Sequence, residues 1–387
     1  MDFAIVNLGC KVNRVEADFI ASKMSAYGRE VKPMEADIIF VNTCTVTAAA
    51  DKKTRKAVSR ALRENSYAKV VVTGCSASIH ADYYKSLSER IEVVDKFDLW
   101  QKLSKSSAPL ASNRCRVGVK VQDGCDNACT YCIVCVARGK SRSIPRTEVI
   151  KTCIELDKLF VPEIVLSGIN IGSYNDGSLV ELLRDLLAST NNCRYRISSI
   201  EPNDVTDELI DLVACEERIC NHFHLPLQSG SDKVLKDMNR PYSSSDFKCL
   251  IDKIYSKIPN FSISTDVIVG FPGETDDQFI ETLNFCEACN FTKIHVFPYS
   301  MREGTIAAAR PDQVDYSTKQ RRAKTLRELS NKLRHEHFNE RVGTFEMCVI
   351  EDNNLAVTDS YFTLKDPSFT DKGACVSIQL EKDMFFE

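Results

Sequence analysis

Residues 117–139 read VGVKVQDGCDNACTYCIVCVARG: a short apolar strand at 117–121 runs straight into a tight loop carrying Cys125, Cys129 and Cys132. Three thiolates spaced this closely can hold three corners of a cubane iron–sulfur cluster, whose full protein ligation takes four. The iron left without a thiolate is then open to a small molecule. Zinc sites more often show two separated Cys pairs, or a Cys pair with a His pair, and no histidine stands nearby in the sequence.

Downstream of this loop, apolar runs alternate with amphipathic segments. Strands are predicted at 117–121, 164–167, 195–199, 222–226, 263–269 and 294–298, each followed by a polar or Gly-containing loop. Six β/α units of this kind predict an incomplete parallel barrel, whose chemistry belongs at the carboxyl ends of its strands. The three-Cys loop follows the first of these strands and so lies at that mouth. Asn170, Ser199, Glu201, Gln228, Ser229 and Ser231 fall in the loops and are expected to face the same cavity. For Ser231 and Thr275, helix capping is at least as good an explanation.

Upstream, FAIVNL (3–8), DIIFVN (37–42), KVVVTG (69–74) and IEVVD (91–95) read as buried parallel strands separated by helices. The pattern predicts a doubly wound α/β sheet. Three of its strands end in cysteine: Leu8-Gly9-Cys10, Asn42-Thr43-Cys44 and Thr73-Gly74-Cys75. A single such cysteine is best read as a small apolar filler. Three at equivalent strand ends, two of them after a glycine, predict a second iron–sulfur site with an open iron.

Bulk properties agree with a globular, reducing-compartment protein. A chain of 387 residues implies two or three domains. Seventeen cysteines in that length fall well short of the ~8–10% of a disulfide scaffold. The opening MDFAIVNLGCKVN is unlike a signal peptide, and no apolar run approaches the ~18–20 residues of a membrane span. A cytoplasmic protein is expected. A net charge of −4 does not mark a general nucleic-acid binder, so any RNA contact must come from local basic patches.

Secondary features are read more plainly. Cys286 and Cys289 are one helical turn apart and fit ordinary packing. His222 and His224 alternate with Phe223 on a strand and are expected to face opposite sides rather than form a chelating pair. Cys135 is read as an apolar wall residue. ARGKSRSIPR (137–146) lacks acids and follows the cluster loop directly, so Arg138, Lys140 and Arg142 are expected to touch RNA phosphates. After a helix read to end near Arg341, TFEMCVIEDN, LAVTDSYFTLK and ACVSIQLE alternate like short antiparallel strands.

The segments NLGCKVN, VNTCTVT, GCDNACTYCIVCVARGKSRS, EIVLSGINIGSY, HFHLPLQSGSDKVLKDMNR, DVIVGFPGETDDQF and HVFPYSMREGT together resemble the methylthiotransferase family of radical S-adenosylmethionine (SAM) enzymes. LGCKVN and NTCTVT are most similar to the branch acting on threonylcarbamoyladenosine, whereas the isopentenyladenosine branch reads more like YGCQMN. The resemblance implies an N-terminal methylthiotransferase domain (1–112), a radical SAM domain (113–335) and a short TRAM-like β domain (336–387). It implies that Cys125, Cys129 and Cys132 hold a SAM-cleaving [4Fe–4S] cluster, and that Cys10, Cys44 and Cys75 hold an auxiliary [4Fe–4S] cluster. SAM would then contact Asn170, Ser199, Glu201, Gln228 and Ser229. The implied reaction attaches methylthio at C2 of the adenine beside the tRNA anticodon, with an electron donor and a sulfur source supplied from outside. The same chemistry on isopentenyladenosine or on a ribosomal-protein aspartate, and a non-catalytic iron–sulfur RNA-binding protein, are the alternatives. Pro-Tyr is usual where this chain has Cys135-Val136, and Tyr-Ala-Gln where it has Ser76-Ala77-Ser78.

Overall fold

The computed structural model describes residues 1–104 and 114–386; the boundary expected at 112/113 lies outside them. The first domain runs β1 (Phe3–Asn7), α1 (Lys11–Met24), β2 (Ile38–Thr43), α2 (Ala48–Glu64), β3 (Lys69–Gly74), α3 (Cys75–Ile79), α4 (Ala81–Leu87), β4 (Ile91–Val93) and α5 (Lys96–Ser104). Its four strands are parallel and lie side by side in chain order. Strand side chains alternate between faces, and both faces are covered. Ala4, Ile39, Val41, Val70 and Val72 pack with Val58 and Ala61 of α2 and Tyr84 of α4. Phe3, Phe40 and Val71 pack with Ile20 and Met24 of α1 and Leu99 of α5. The register pairs Asn7 with Asn42 and Asn42 with Thr73, so β1, β2 and β3 end in step. The cysteines that follow them therefore share one edge.

The second domain continues with β5 (Arg116–Lys120), β6 (Gln122–Asp123), α6 (Val134–Arg138), β7 (Arg142–Ser143), α7 (Arg146–Lys158), β8 (Glu163–Ser167), α8 (Leu179–Ser189) and β9 (Arg194–Ile197). It goes on through α9 (Asp207–Cys215), β10 (His222–His224), α10 (Asp232–Asp237), α11 (Ser244–Lys257), β11 (Ser262–Val269), α12 (Asp276–Ala288), β12 (Lys293–Pro298) and α13 (Tyr316–Arg341). Two parallel sheets, β5-β8-β9 and β10-β11-β12, are joined by bridges from Tyr195 to Ile219 and from Ser199 to His224. The result is the expected open, six-stranded partial barrel. Its outward positions, among them Val117, Ile164, Tyr195, Phe223 and Ile263, form one core with the helices. Its inward positions are largely polar.

The first domain spans the barrel's open side. On the β5 edge, α1 lies so close that a Cβ at Gly118 would come within 2.2 Å of Val15. Beyond β12, the Ala48 amide donates to Ser300 Oγ at 2.9 Å, and Arg302 donates to Thr45 Oγ1.

The tail forms an antiparallel sheet of β13 (Phe345–Ile350), β14 (Leu355–Thr358), β15 (Thr363–Lys365), β16 (Cys375–Gln379) and β17 (Phe385–Phe386), ordered β16-β13-β14-β15-β17. Phe338 of α13 belongs to its core, so the boundary expected at 335/336 falls inside a continuous helix. The tail caps the amino end of the barrel through Arg196. This fully buried guanidinium pairs with Glu163 at 2.7 and 2.9 Å and donates to the carbonyls of Asp359 and Thr358 at 2.8 and 3.0 Å. Burial disfavours the Glu163 carboxylate, yet the Arg196 charge outweighs it and holds the group down to about 2. Because Arg196→Ala would leave the buried Glu163 only the longer 3.7 Å ion pair with Arg116, the variant is expected to lose about 3–5 kcal/mol of unfolding free energy. Urea denaturation checks this, and a loss under about 1 kcal/mol would show that the pair does not hold the tail in place.

Candidate functional site

The cysteine loop is closed at its base and pinned at its tip. At the base, β6 pairs with β7, and the Cys125 amide donates to the Gly139 carbonyl at 3.1 Å. Gly124 has φ +73°, and a Cβ there would meet the Lys140 carbonyl oxygen at 2.0 Å, so only glycine fits. At the tip, Thr130 Oγ1 donates to the Asp237 carbonyl at 2.8 Å and Asn239 donates to the Ala128 carbonyl at 2.9 Å.

Each sulfur of the loop has a donor aimed at it. The amide of Asn127 lies 3.4 Å from Cys125 Sγ, the amide of Val134 lies 3.4 Å from Cys132 Sγ, and Arg240 Nη1 lies 3.2 Å from Cys129 Sγ. Burial pushes the Cys125 thiol up and the Cys132 thiol up to about 12. Thiols so placed ionise on taking a metal, and the donors then stabilise sulfur bearing negative charge. The residues fit an iron–sulfur cluster.

Arg240 was not singled out in the sequence, although it closes the run KDMNR. It is buried, bonds Tyr242 at 3.0 Å and pairs with Glu201. Burial raises the Glu201 carboxyl while Arg240 opposes the shift. Asn170 bridges neighbouring loops: it donates to Asp204 at 2.6 Å and accepts from the amides of Gly172 and Glu201 at 3.2 and 3.1 Å. Asn170, Ser199 and Glu201 thus lie together on the rim beside Arg240. Gln228 adopts φ +68° and bridges to Val267. Ser229 is a correction. Its hydroxyl is buried against Thr282 of α12 at 3.2 Å and does not face the cavity. Ser231 precedes α10 without capping it, whereas Thr275 makes a full capping box on α12.

The second cysteine group sits on the aligned strand ends of the first domain. Cys10 is exposed ahead of α1, Cys44 follows β2, and Cys75 opens α3. Gly9 and Gly74 have φ of +111° and +92°; a Cβ on Gly9 would lie 2.7 Å from that of Cys44, and one on Gly74 would lie 2.4 Å from Asn42 Oδ1. Asn13 ties the strand ends together, donating to the carbonyls of Leu8 and Thr43, both at 2.9 Å. Burial pushes Cys44 up and Cys75 up to about 11, and a charge on Cys10 raises both further. The three thiols form an all-sulfur donor set of the kind an iron–sulfur cluster takes.

Arg138 links the two groups, and its location corrects the sequence reading. Its side chain is 1% exposed and cannot reach a phosphate. It donates to Glu16 at 2.9 Å, Asp123 at 2.8 Å and Asn13 at 2.8 Å, while Lys120 donates to Glu16 at 2.8 Å and Asp123 at 2.6 Å. Two cations and two carboxylates thus bind α1 to the strand and helix that flank the cysteine loop. Lys140 is exposed, and Arg142 is partly exposed with its guanidinium 4.6 Å from the Phe97 ring centroid.

Three further expectations are settled by the packing. Cys286 and Cys289 are buried in the core, as expected. Cys135 is exposed and is not a wall residue. His222 and His224 do not face opposite sides, because residues two apart on a strand point the same way. Both rings come within 2.9 Å of Ser264 Oγ.

A cysteine loop at the carboxyl mouth of an incomplete parallel barrel defines a radical SAM architecture. Residues 119–286 match the radical SAM superfamily, and residues 2–97 match the uncharacterized protein family UPF0004. A threonylcarbamoyladenosine tRNA methylthiotransferase MtaB of Bacillus subtilis (strain 168) is 38% identical over 86% of this chain and 81% of its own length. A tRNA-2-methylthio-N(6)-dimethylallyladenosine synthase of Endomicrobium trichonymphae is 33% identical over 91% and 89%. Among solved structures, the radical SAM methyltransferase TsrM of Kitasatospora setae superposes with a TM-score of 0.57 at 13% identity, covering 79% of this chain and 76% of that one, which shows a common fold. The chain belongs to the radical SAM methylthiotransferase family, and within it to the threonylcarbamoyladenosine (MtaB) branch.

Burial disfavours the Glu16 and Asp123 carboxylates, but the Lys120 and Arg138 charges win; Glu16 falls from an ordinary 4.5 to about 2, and Asp123 falls as well. Groups lowered on folding stabilise above their unfolded values. This contribution is therefore complete above pH 4.5 and is lost as pH falls towards about 2. Arg138→Ala is expected to cost about 3–5 kcal/mol and to flatten that acid dependence in urea titrations of the metal-free chain. An unchanged pH profile would show that the cluster is not coupled to folding.

Proposed function

We propose that this chain attaches a methylthio group to C2 of N6-threonylcarbamoyladenosine beside the tRNA anticodon, using SAM and two [4Fe–4S] clusters. The observation that carries the reading is the arrangement of two three-cysteine groups. They belong to separate domains, and one buried ion cluster ties those domains together. A relative bearing the threonylcarbamoyladenosine name is 38% identical, and one bearing the dimethylallyladenosine name is 33% identical.

Cys125, Cys129 and Cys132 would hold one cluster and Cys10, Cys44 and Cys75 the other; a bound cluster with an open iron supplies reductive cleavage of SAM. An unactivated aromatic C–H calls for such cofactor-borne chemistry. The protein's part is positioning. Arg240 sets the electrostatics at Cys129 and fixes Glu201, while Asn170 holds the rim loops where SAM would lie. Lys140 and Arg142, on the solvent side of the cluster loop, are the basic residues placed to meet tRNA phosphate. Electron donor and sulfur source come from outside the chain. No helix among the described residues is long and apolar enough to cross a membrane, and oxygen-sensitive clusters suit the cytoplasm.

Nucleoside mass spectrometry tests this reading. tRNA lacking the modification is incubated without oxygen with iron- and sulfide-reconstituted protein, SAM and reductant. Threonylcarbamoyladenosine is expected to become its 2-methylthio form; methylthio appearing on isopentenyladenosine alone would reassign the substrate. Cys129→Ala is expected to abolish formation of 5′-deoxyadenosine. Cys44→Ala should keep part of it yet stop thiomethylation, and continued thiomethylation in that variant would refute the second cluster.

A further inference from the structure

Midway along the barrel, the inner face of β10, β11 and β12 carries a polar group with no part in either cysteine cluster. His224 Nε2 lies 3.3 Å from Asp266 Oδ2. One donor atom each from His224, Asp266 and His295 falls within 4.8 Å of the others. The register that sets Asp266 opposite His295 holds them there.

Lys11 reaches this face from the first domain. It directly follows Cys10, and its Nζ stands 4.9 Å from the centroid of the Tyr361 ring. The Tyr361 ring in turn lies against His222, with centroids 4.7 Å apart, and His222 and His224 share Ser264 Oγ at 2.9 Å, so Lys11 stands beside this face. Lys11 is exposed and forms no salt bridge among the described residues. An ammonium carrying this much charge without a carboxylate partner, facing a lining of imidazole and carboxylate, suits a ligand that brings an anion together with hydrogen-bond donors. A divalent cation suits it less, because Lys11 already supplies positive charge to Asp266.

The substituents on N6 that distinguish the two groups of relatives differ in just this respect. Threonylcarbamoyl has a free carboxylate, a hydroxyl and urea-like N–H groups. Dimethylallyl is a hydrocarbon. We propose that Lys11 binds the carboxylate of the threonylcarbamoyl group, with Asp266, oriented by His224, accepting from its N–H or hydroxyl donors. A hydrocarbon in the same place would displace water from Lys11 and Asp266 without replacing its hydrogen bonds, and sites built to hydrogen-bond a substrate reject analogues that cannot do so. This assignment rests on the substrate reading above and makes Lys11 a specificity-determining residue.

The test crosses two enzymes with two substrates. Reconstituted wild type and Lys11→Gln are each assayed on tRNA bearing threonylcarbamoyladenosine and on the same tRNA with that carboxylate converted to its primary amide. Lys11→Gln is expected to raise KM for the natural substrate about 10–100-fold, with SAM cleavage in the absence of tRNA unchanged. On the amide substrate the two enzymes should perform alike, and Lys11→Arg should recover most of the natural activity. An unchanged KM in Lys11→Gln, or equal losses on both substrates, would overturn the assignment while leaving the proposed reaction intact. Wild type that modifies only isopentenyladenosine would overturn both.

Discussion

The architecture depends on a buried cluster of four charges: Glu16 and Asp123 against Lys120 and Arg138, each side chain no more than 7% exposed. The cluster is neutral as a whole, so its desolvation is repaid only while every partner is present. Glu16 comes from α1, which begins just after Cys10. Lys120 ends the strand that feeds the other cysteine loop, and Arg138 ends the short helix that follows it. The ion cluster thereby fixes the edge carrying Cys10, Cys44 and Cys75 relative to the loop carrying Cys125, Cys129 and Cys132. Lys96 adds to it by donating to the Ala137 carbonyl at 2.6 Å.

The far end of the barrel is closed on the same physical terms. Tyr361 adopts φ +68°, an uncommon conformation for an aromatic residue. It enters a ring of positive charge, with Arg196 4.9 Å and Arg116 5.7 Å from its ring centroid. Burial would raise its phenol, but the charges of Lys11, Arg116 and Arg196 bring it down to about 8. The short β domain therefore has a structural task independent of any RNA contact. Its Tyr361 packs against the His222 ring of the polar interior, with centroids 4.7 Å apart.

The sequence was most legible where periodicity and spacing carry the signal. The six cysteines stand at strand ends and in one tight loop, and the barrel strands are apolar runs with polar loops behind them. Tertiary pairing was the illegible part. Arg138 sits in a basic run that looks solvent-facing, and nothing local shows that Glu16 and Asp123, far from it in the chain, claim its guanidinium. Arg240 hid in the same way, its partners Glu201 and Cys129 lying in other loops. The polar face of His224, Asp266 and His295 could be read from the alternation of each strand only once the strand order was known. The domain boundary near residue 336 was obscured because α13 serves both cores without a break.

On the proposed reading, two separate three-thiol sites each hold a [4Fe–4S] cluster. Iron and sulfide analysis with Mössbauer spectroscopy on the reconstituted chain tests it most directly, compared with a variant in which Cys10, Cys44 and Cys75 are all alanine. The account predicts about eight irons per wild-type chain and about four in the variant, all in cubane clusters. A wild type that saturates at about four irons, or a variant that loses none, would contradict it.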